Sequence, residues 1–187
     1  GSWGDYRARE DNRGWCGGRI STKELHDFFQ SIRNISPRFL TANYGITVAA
    51  NHSAPILAEK PEWFRMLDRQ GRRDSLFPGL SENFQSMMNL PEVRDFYMNS
   101  LLGMANDLGN RMVYIDEAQQ NNTINWQRDE LIRDDHLVMF WDKLRRRARE
   151  EGKLLFFNGS GQPFADLNYM ENARMMAPEN WREYAGV

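Results

Sequence analysis

KLLFFNGSGQPFADLNYME, residues 153–171, sets four consecutive apolar residues, Leu154 to Phe157, directly before the turn-forming run Asn158 to Pro163. Four apolar residues are too few for a helix, and Asn-Gly-Ser-Gly-Gln-Pro ends any periodicity at once. The stretch predicts a short, fully buried strand whose C-terminal end opens into a polar loop. Residues 111–117, RMVYIDE, have the same form: an apolar run closes on Asp116 and Glu117 and is followed by Ala118-Gln119-Gln120-Asn121-Asn122. Buried strands separated by helices, with reactive side chains at their C-terminal ends, describe an α/β protein of TIM-barrel-like (β/α) architecture, whose active face is built from those ends.

Between and before these strands the helix signals are clear. Ser21-Thr22-Lys23-Glu24 fits a capping box, in which a hydroxyl and a carboxylate satisfy the first free N–H groups. A helix is expected to follow, with Leu25, Phe28, Phe29 and Ile32 on one face, and to end before Pro37. Pro91 suits the first position of a second helix reaching about Leu108, with Val93, Phe96, Tyr97, Leu101, Met104 and Ala105 inward and Gly109 as its stop. A third is expected over 134–151, with Leu137, Phe140, Trp141 and Leu144 apolar and Gly152 as its end. Its Arg145-Arg146-Arg147 run lies towards the C-terminus, where cations suit the helix dipole. Glu150 and Glu151 beside it favour a solvated helix face over a nucleic-acid patch.

Residues 44–50 predict a further buried strand, ending in Asn51-His52-Ser53-Ala54-Pro55. Pro61-Glu62-Trp63-Phe64 predicts a short helix, 68–79 a loop or rim excursion, 87–90 a brief extended piece, and 117–125 a long loop. The first 19 residues, rich in Gly, Arg and Trp, read as an irregular lead-in to a domain spanning 20–187, and the tail predicts a short helix over 178–184. Strand, helix, strand, helix, strand implies parallel pairing with right-handed crossovers. A closed eight-fold barrel needs about 200 to 400 residues. This chain has 187, with signals for three or four strand–helix units. A partial barrel or a fragment of one, or a partial barrel completed by a second copy or a complementing chain, is therefore expected.

Composition narrows the function classes. With 24 Lys+Arg against 26 Asp+Glu, the net charge of −2 gives no global case for nucleic acid or an anionic membrane as a partner. No apolar run approaches the roughly 20 residues that span a bilayer. The single cysteine, Cys16, allows neither an internal disulfide nor a cysteine metal cluster, and nothing at metal-ligand spacing implies a cofactor. Six Trp, six Tyr and eleven Phe suit either a core or a cleft that stacks on sugars.

The order of these segments resembles a known family. Strand 44–50, Ala58-Glu59-Lys60-Pro61-Glu62-Trp63, the helix start Asn89-Leu90-Pro91-Glu92-Val93-Arg94-Asp95, the strand ending at Asp116, and Asn158-Gly159-Ser160-Gly161 followed by Asp166 resemble the catalytic barrel of retaining α-galactosidase-like glycosidases. That clan also holds raffinose-synthase-like and α-glucosidase-like enzymes. The resemblance covers about residues 40–172 and implies hydrolysis of glycosidic bonds, with carbohydrate as the partner. It places the nucleophile at Asp116 and substrate contacts in the 158–166 loop. Tyr114 and Ile115 stand where the family has lysine and tryptophan, Phe157 where it has glutamate, and Gly159 where it has cysteine. The family's acid/base aspartate, at the end of its sixth strand, falls beyond Val187. These departures keep a second reading open: a non-catalytic carbohydrate-binding or structural subunit on a degenerate barrel.

Retaining hydrolysis needs two carboxylates about 5 Å apart, one attacking the anomeric carbon and one protonating the leaving oxygen. Asp116 at a rigid strand end suits the nucleophile; an Asp that closes the following loop accounts for it equally. Glu117, its neighbour, and Asp166 are the candidates for the second carboxylate. Asn51, His52, Asn158 and Ser160 at strand ends are candidate sugar contacts, though Asn158 and Ser160 serve equally to build a turn. Trp63 offers an apolar face for stacking, and so does Trp126.

Overall fold

The computed structural model describes residues 4–7, 10, 12–13, 19–46, 49–51, 53–64, 70, 75–77, 81–116, 123–125, 130–132, 134–158 and 166–169. In chain order the elements are β1 (Asn12–Arg13), β2 (Arg19–Ile20), α1 (Thr22–Ile35), β3 (Ala42–Ile46), β4 (Ala49–Asn51), α2 (Pro55–Glu59) and a 3-10 turn (Pro61–Trp63). There follow β5 (Ser75–Phe77), β6 (Ser81–Gln85), α3 (Pro91–Asp107), β7 (Met112–Asp116), β8 (Thr123–Asn125), β9 (Glu130–Ile132), α4 (Asp134–Glu150), β10 (Leu154–Asn158) and β11 (Leu167–Tyr169).

Four strands form the central sheet in the order β11-β10-β7-β3, every neighbouring pair parallel. Spatial order follows chain order, and α3 and α4 lie in the connections between β3, β7 and β10, as the strand–helix rhythm predicts. The register sets Tyr44 opposite Tyr114 and Tyr114 opposite Phe156, with Ile46 opposite Asp116.

Strand alternation separates two faces. Val113, Ile115, Leu155 and Phe157 point towards the helices and are fully buried with Leu101 and Leu102 of α3 and Phe140, Trp141 and Leu144 of α4. Trp141 meets Phe157 edge-on, ring centroids 5.0 Å apart. Each such side chain stabilises the fold by about 1.5–3 kcal/mol through removal from water. Gly45 belongs to this face: a Cβ there would collide with the Leu101 Cδ2 methyl, so the glycine lets α3 lie close. On the other face Tyr44, Tyr114 and Phe156 form a half-buried layer of three rings, with centroids 5.4 and 5.1 Å apart.

The helices start and stop where the sequence signals them. Ser21 Oγ accepts from the Glu24 N–H at 3.1 Å and the Glu24 carboxylate accepts from the Ser21 N–H at 2.7 Å, the reciprocal capping box. Pro91 occupies the first turn of α3, and Gly109 and Gly152 follow α3 and α4 with φ of +65° and +69°, a conformation glycine adopts without strain. α1 buries none of its residues fully, although Leu25 and Phe29 rest against the core. Arg33 ties it down by donating to Thr41 Oγ1 at 3.1 Å and to the Leu108 carbonyl at 3.2 Å, at the C-terminal end of α3.

Several expectations need correction. Residues 44–50 are not one strand: β3 joins the parallel sheet, while β4 pairs antiparallel with β6 in a separate three-stranded sheet, β4-β6-β5. The excursion expected over 68–79 contains β5, and the extended piece placed at 87–90 lies instead at β6, with Ser86 bridging to Phe64. The loop expected over 117–125 carries β8, which forms a hairpin with β9. The lead-in contains the β1–β2 hairpin and a buried anchor, Asp5 and Tyr6. The helix expected over 178–184 lies outside the described residues.

The anchor is specific. The Asp5 carboxylate accepts from Arg7 Nε at 2.8 Å and from the Ile56 N–H at 3.1 Å, at the start of α2. The Tyr6 hydroxyl donates to the Ile46 carbonyl at 2.8 Å and accepts from the Ile46 N–H, satisfying both backbone groups of the last residue of β3.

Of the arginines expected on a solvated helix face, Arg146 and Arg147 are exposed with partners in place, while Arg145 is part-buried near Asp166. Arg146 pairs with Asp142 at 2.6 Å, and Arg147 bonds Glu151 at 3.3 Å and Asn99 at 2.7 Å. Among the described residues no helix is long and apolar enough to cross a membrane.

Candidate active site

Asp116 ends β7, a strand with a parallel neighbour on each side, and its side chain lies on the face turned away from α3 and α4. Both neighbours reach it. The Tyr44 hydroxyl of β3 donates to Oδ2 at 2.8 Å, and the Asn158 amide of β10 donates to Oδ1 at 2.8 Å. Each carboxylate oxygen is thus gripped by a neutral donor from a different strand. Burial first, and then the bond to Asp116, push the Tyr44 phenol far above its usual range. At any physiological pH it is a donor.

Beneath the carboxylate lies the layer of Tyr44, Tyr114 and Phe156, half-buried and in register across three strands. The Tyr44 ring packs edge-on to Tyr114 at 65°, which fixes the direction of its hydroxyl. A strand end, two orienting donors and an aromatic layer thus surround one half-buried carboxylate. Such a group can act as a nucleophile, a general base or a hydrogen-bond acceptor for hydroxyls.

The other singled-out residues are distributed unevenly. Asn158 stands at Asp116, with its amide bonded to the carboxylate. Asp166 does not. It precedes β11, opposite Leu155 near the start of β10, at the far end of the sheet from Asp116. There it accepts from the Leu155 N–H at 2.9 Å and from Arg149 at 2.7 Å, with Arg145 at 3.9 Å. Burial raises the Asp166 carboxyl, but the Leu155 amide and the two guanidiniums lower it further, so it lies below the ordinary carboxylate range. The physical reason for its position is the short β10–β11 connection: parallel pairing returns the chain to the start of the sheet before β11 begins.

Asn51 ends β4, and its Oδ1 accepts from the Ser53 N–H at 3.0 Å and from Ser53 Oγ at 2.8 Å, a turn built by its own side chain. Trp63 lies between the two hydrophobic clusters, 5.5 Å from Phe96 of α3 with Lys60 over its ring, on the helix side of the sheet. Glu117, His52, Ser160 and Trp126 lie outside the described residues. Tyr44 is the residue at this site that the sequence reading leaves unmarked. Its one signal is a hydroxyl inside an apolar strand, since a buried tyrosine needs a hydrogen-bond partner. Among the described residues no group of three or more His, Cys, Asp or Glu side chains forms a metal cluster.

No protein-family model matches the chain, and no curated protein does. Solved structures do resemble it. A cycloisomaltooligosaccharide glucanotransferase from Paenibacillus sp. is 12% identical with a TM-score of 0.62, over 80% of this chain and 22% of that one. An α-galactosidase from Thermus thermophilus is 16% identical with a TM-score of 0.59, over 78% and 31%. A maltogenic α-amylase from Thermotoga neapolitana is 13% identical with a TM-score of 0.65, over 97% and 44%. The chain spans less than half the length of each. At these identities the likeness is one of fold: the chain carries a glycoside-hydrolase-like α/β fold with a four-stranded parallel sheet. It does not single out the α-galactosidase clan, since the α-amylase superposes as well as the α-galactosidase.

Proposed function

We propose that this chain is a carbohydrate-active, glycoside-hydrolase-like domain that cleaves glycosidic bonds by a retaining mechanism, with Asp116 as the nucleophile. The observation that carries the reading is the Asp116 carboxylate at the C-terminal end of a parallel strand, held by Tyr44 and Asn158 from the strands on either side. Reacting groups in barrel enzymes are found at strand ends of this kind. Asp116 would attack the anomeric carbon while a second carboxyl protonates the departing oxygen, and water would then release the sugar. Asp166, at the far end of the sheet, is poorly placed for that second role. Glu117, next in the chain, is the group proposed for it. Asn158 positions Asp116, and Asn51, His52 and Ser160 remain proposed sugar contacts. Further barrel strands are proposed to come from a second copy or a complementing chain, and neither nucleic acid nor a membrane is proposed as a partner.

Asp116→Asn should abolish turnover of 4-nitrophenyl glycosides and leave the thermal unfolding midpoint within a few degrees of wild type. Undiminished hydrolysis by that variant would remove Asp116 from the mechanism. The second reading, a carbohydrate-binding or assembly subunit without turnover, draws support from the position of Asp166. Glycan-array binding by a wild-type protein inactive on every aryl glycoside tested would decide for it.

A further inference from the structure

We propose that Tyr44 is a positioning residue for Asp116, aiming the carboxylate for attack and receiving its charge again on release. This rests on Asp116 being the nucleophile.

Tyr44 lies on β3 two residue pairs below the Ile46–Asp116 level, so its phenol must reach up and across to the neighbouring strand. Its hydroxyl meets Asp116 Oδ2 at 2.8 Å, while Asn158 takes Oδ1 from the opposite side. With donors on both oxygens the carboxylate cannot rotate about its Cβ–Cγ bond without breaking both bonds. The ring cannot follow such a rotation, because Tyr114 stands edge-on against it and Tyr114 in turn rests on Phe156. This precision comes from secondary structure, since all three contributing residues lie on paired strands.

The chemistry assigns the hydroxyl a part in both half-reactions. In the first, a carboxylate oxygen of Asp116 forms a bond to the anomeric carbon as the bond to the leaving oxygen breaks, and that oxygen takes its proton from the second carboxyl group. Negative charge leaves Asp116, and the bond from Tyr44 weakens. In the second, water attacks the anomeric carbon while the second carboxylate, deprotonated in the first step, takes its proton; the ester bond breaks, and the electron pair returns to Asp116. A donor already aimed at the carboxylate stabilises that returning charge without reorganisation. Tyr44 transfers no proton, and its raised phenol range keeps the proton in place. A phenol that served packing alone would leave both steps indifferent to its loss.

The test is Tyr44→Phe in the full chain, which removes one oxygen and keeps the ring layer. On a 4-nitrophenyl glycoside that wild type hydrolyses, kcat should fall about tenfold or more with KM little changed. An unchanged kcat would overturn the assignment. Carboxyl-detected NMR, with the Asp116 resonance assigned through Asp116→Asn, supplies a readout that needs no turnover. That resonance should move in Tyr44→Phe as its hydrogen bond is lost, and an unmoved resonance would overturn the role of Tyr44. If wild type cleaves no glycoside, the glycosidase reading fails by itself, and the resonance still decides whether Tyr44 holds Asp116.

Discussion

At Gly45 the absence of a side chain lets α3 settle onto the sheet directly behind the layer that carries Tyr44. A methyl group there would force the fully buried Leu101 to move within a close-packed core. Gly45→Ala should therefore destabilise the protein by about 1–3 kcal/mol, measured by urea unfolding. A loss below a few tenths would mean that Leu101 yields freely. Asp116 and Asn158 were legible as a site because each closes an apolar run, where a strand meets a loop. Tyr44 was not, because nothing in a single strand tells which neighbour its hydroxyl will meet; that is decided by register. Asp166 misled for the same reason. Its closeness in sequence to Asn158 suggested closeness in space, whereas parallel pairing carried it to the other end of the sheet.

Of the α-helices among the described residues, α1 is the one with no fully buried residue, and a capping box opens it. Ser21→Ala removes the hydroxyl that accepts from the Glu24 N–H, so amide exchange in the first turns of α1 should quicken several-fold. Exchange in β7 and β10, measured in the same spectra, should be unaffected. Equal acceleration in those strands would show that α1 opens only with the whole domain. The helices were readable because capping chemistry, prolines and a 3.6-residue period all agree on their limits. β7 and β10 were readable as short apolar runs. β4, β5, β6, β8 and β9 were not: each has three to five residues, mostly polar or small, and takes its form from pairing with a partner strand. The break between β3 and β4 was hidden because both halves of 44–50 are apolar, and composition cannot say that two halves of one run belong to different sheets.

Across the whole molecule, the two ends of the parallel sheet do different work. The end that carries Asp116 is the one proposed for chemistry, and the end that carries Asp166 serves closure, joining α4, β10 and β11 through Arg149, Arg145 and the Leu155 amide. Because the Asp166 carboxyl is lowered in the folded state, its contribution is present above the unfolded value of about 3.9 and is lost as the pH falls through the folded one. Asp166→Asn should cost about 1 kcal/mol at pH 7, a figure kept small because Arg149 is half-exposed and screened by solvent. The gap between variant and wild type should close as the pH drops below about 4. A gap that stays constant down to pH 2 would show that charge has no part in it. The fold class was legible at this scale from the alternation of elements, and the comparisons support it at the level of architecture. At the other end of the sheet, Tyr6 grips Ile46, the residue paired with Asp116, while Gly4 presses on Ala49 and Ala50 with no room for a side chain. The segment from Gly4 to Tyr6 is thereby pinned beside the strand end that carries Asp116. A change at Tyr6 is a way to loosen that end without touching the carboxylate itself.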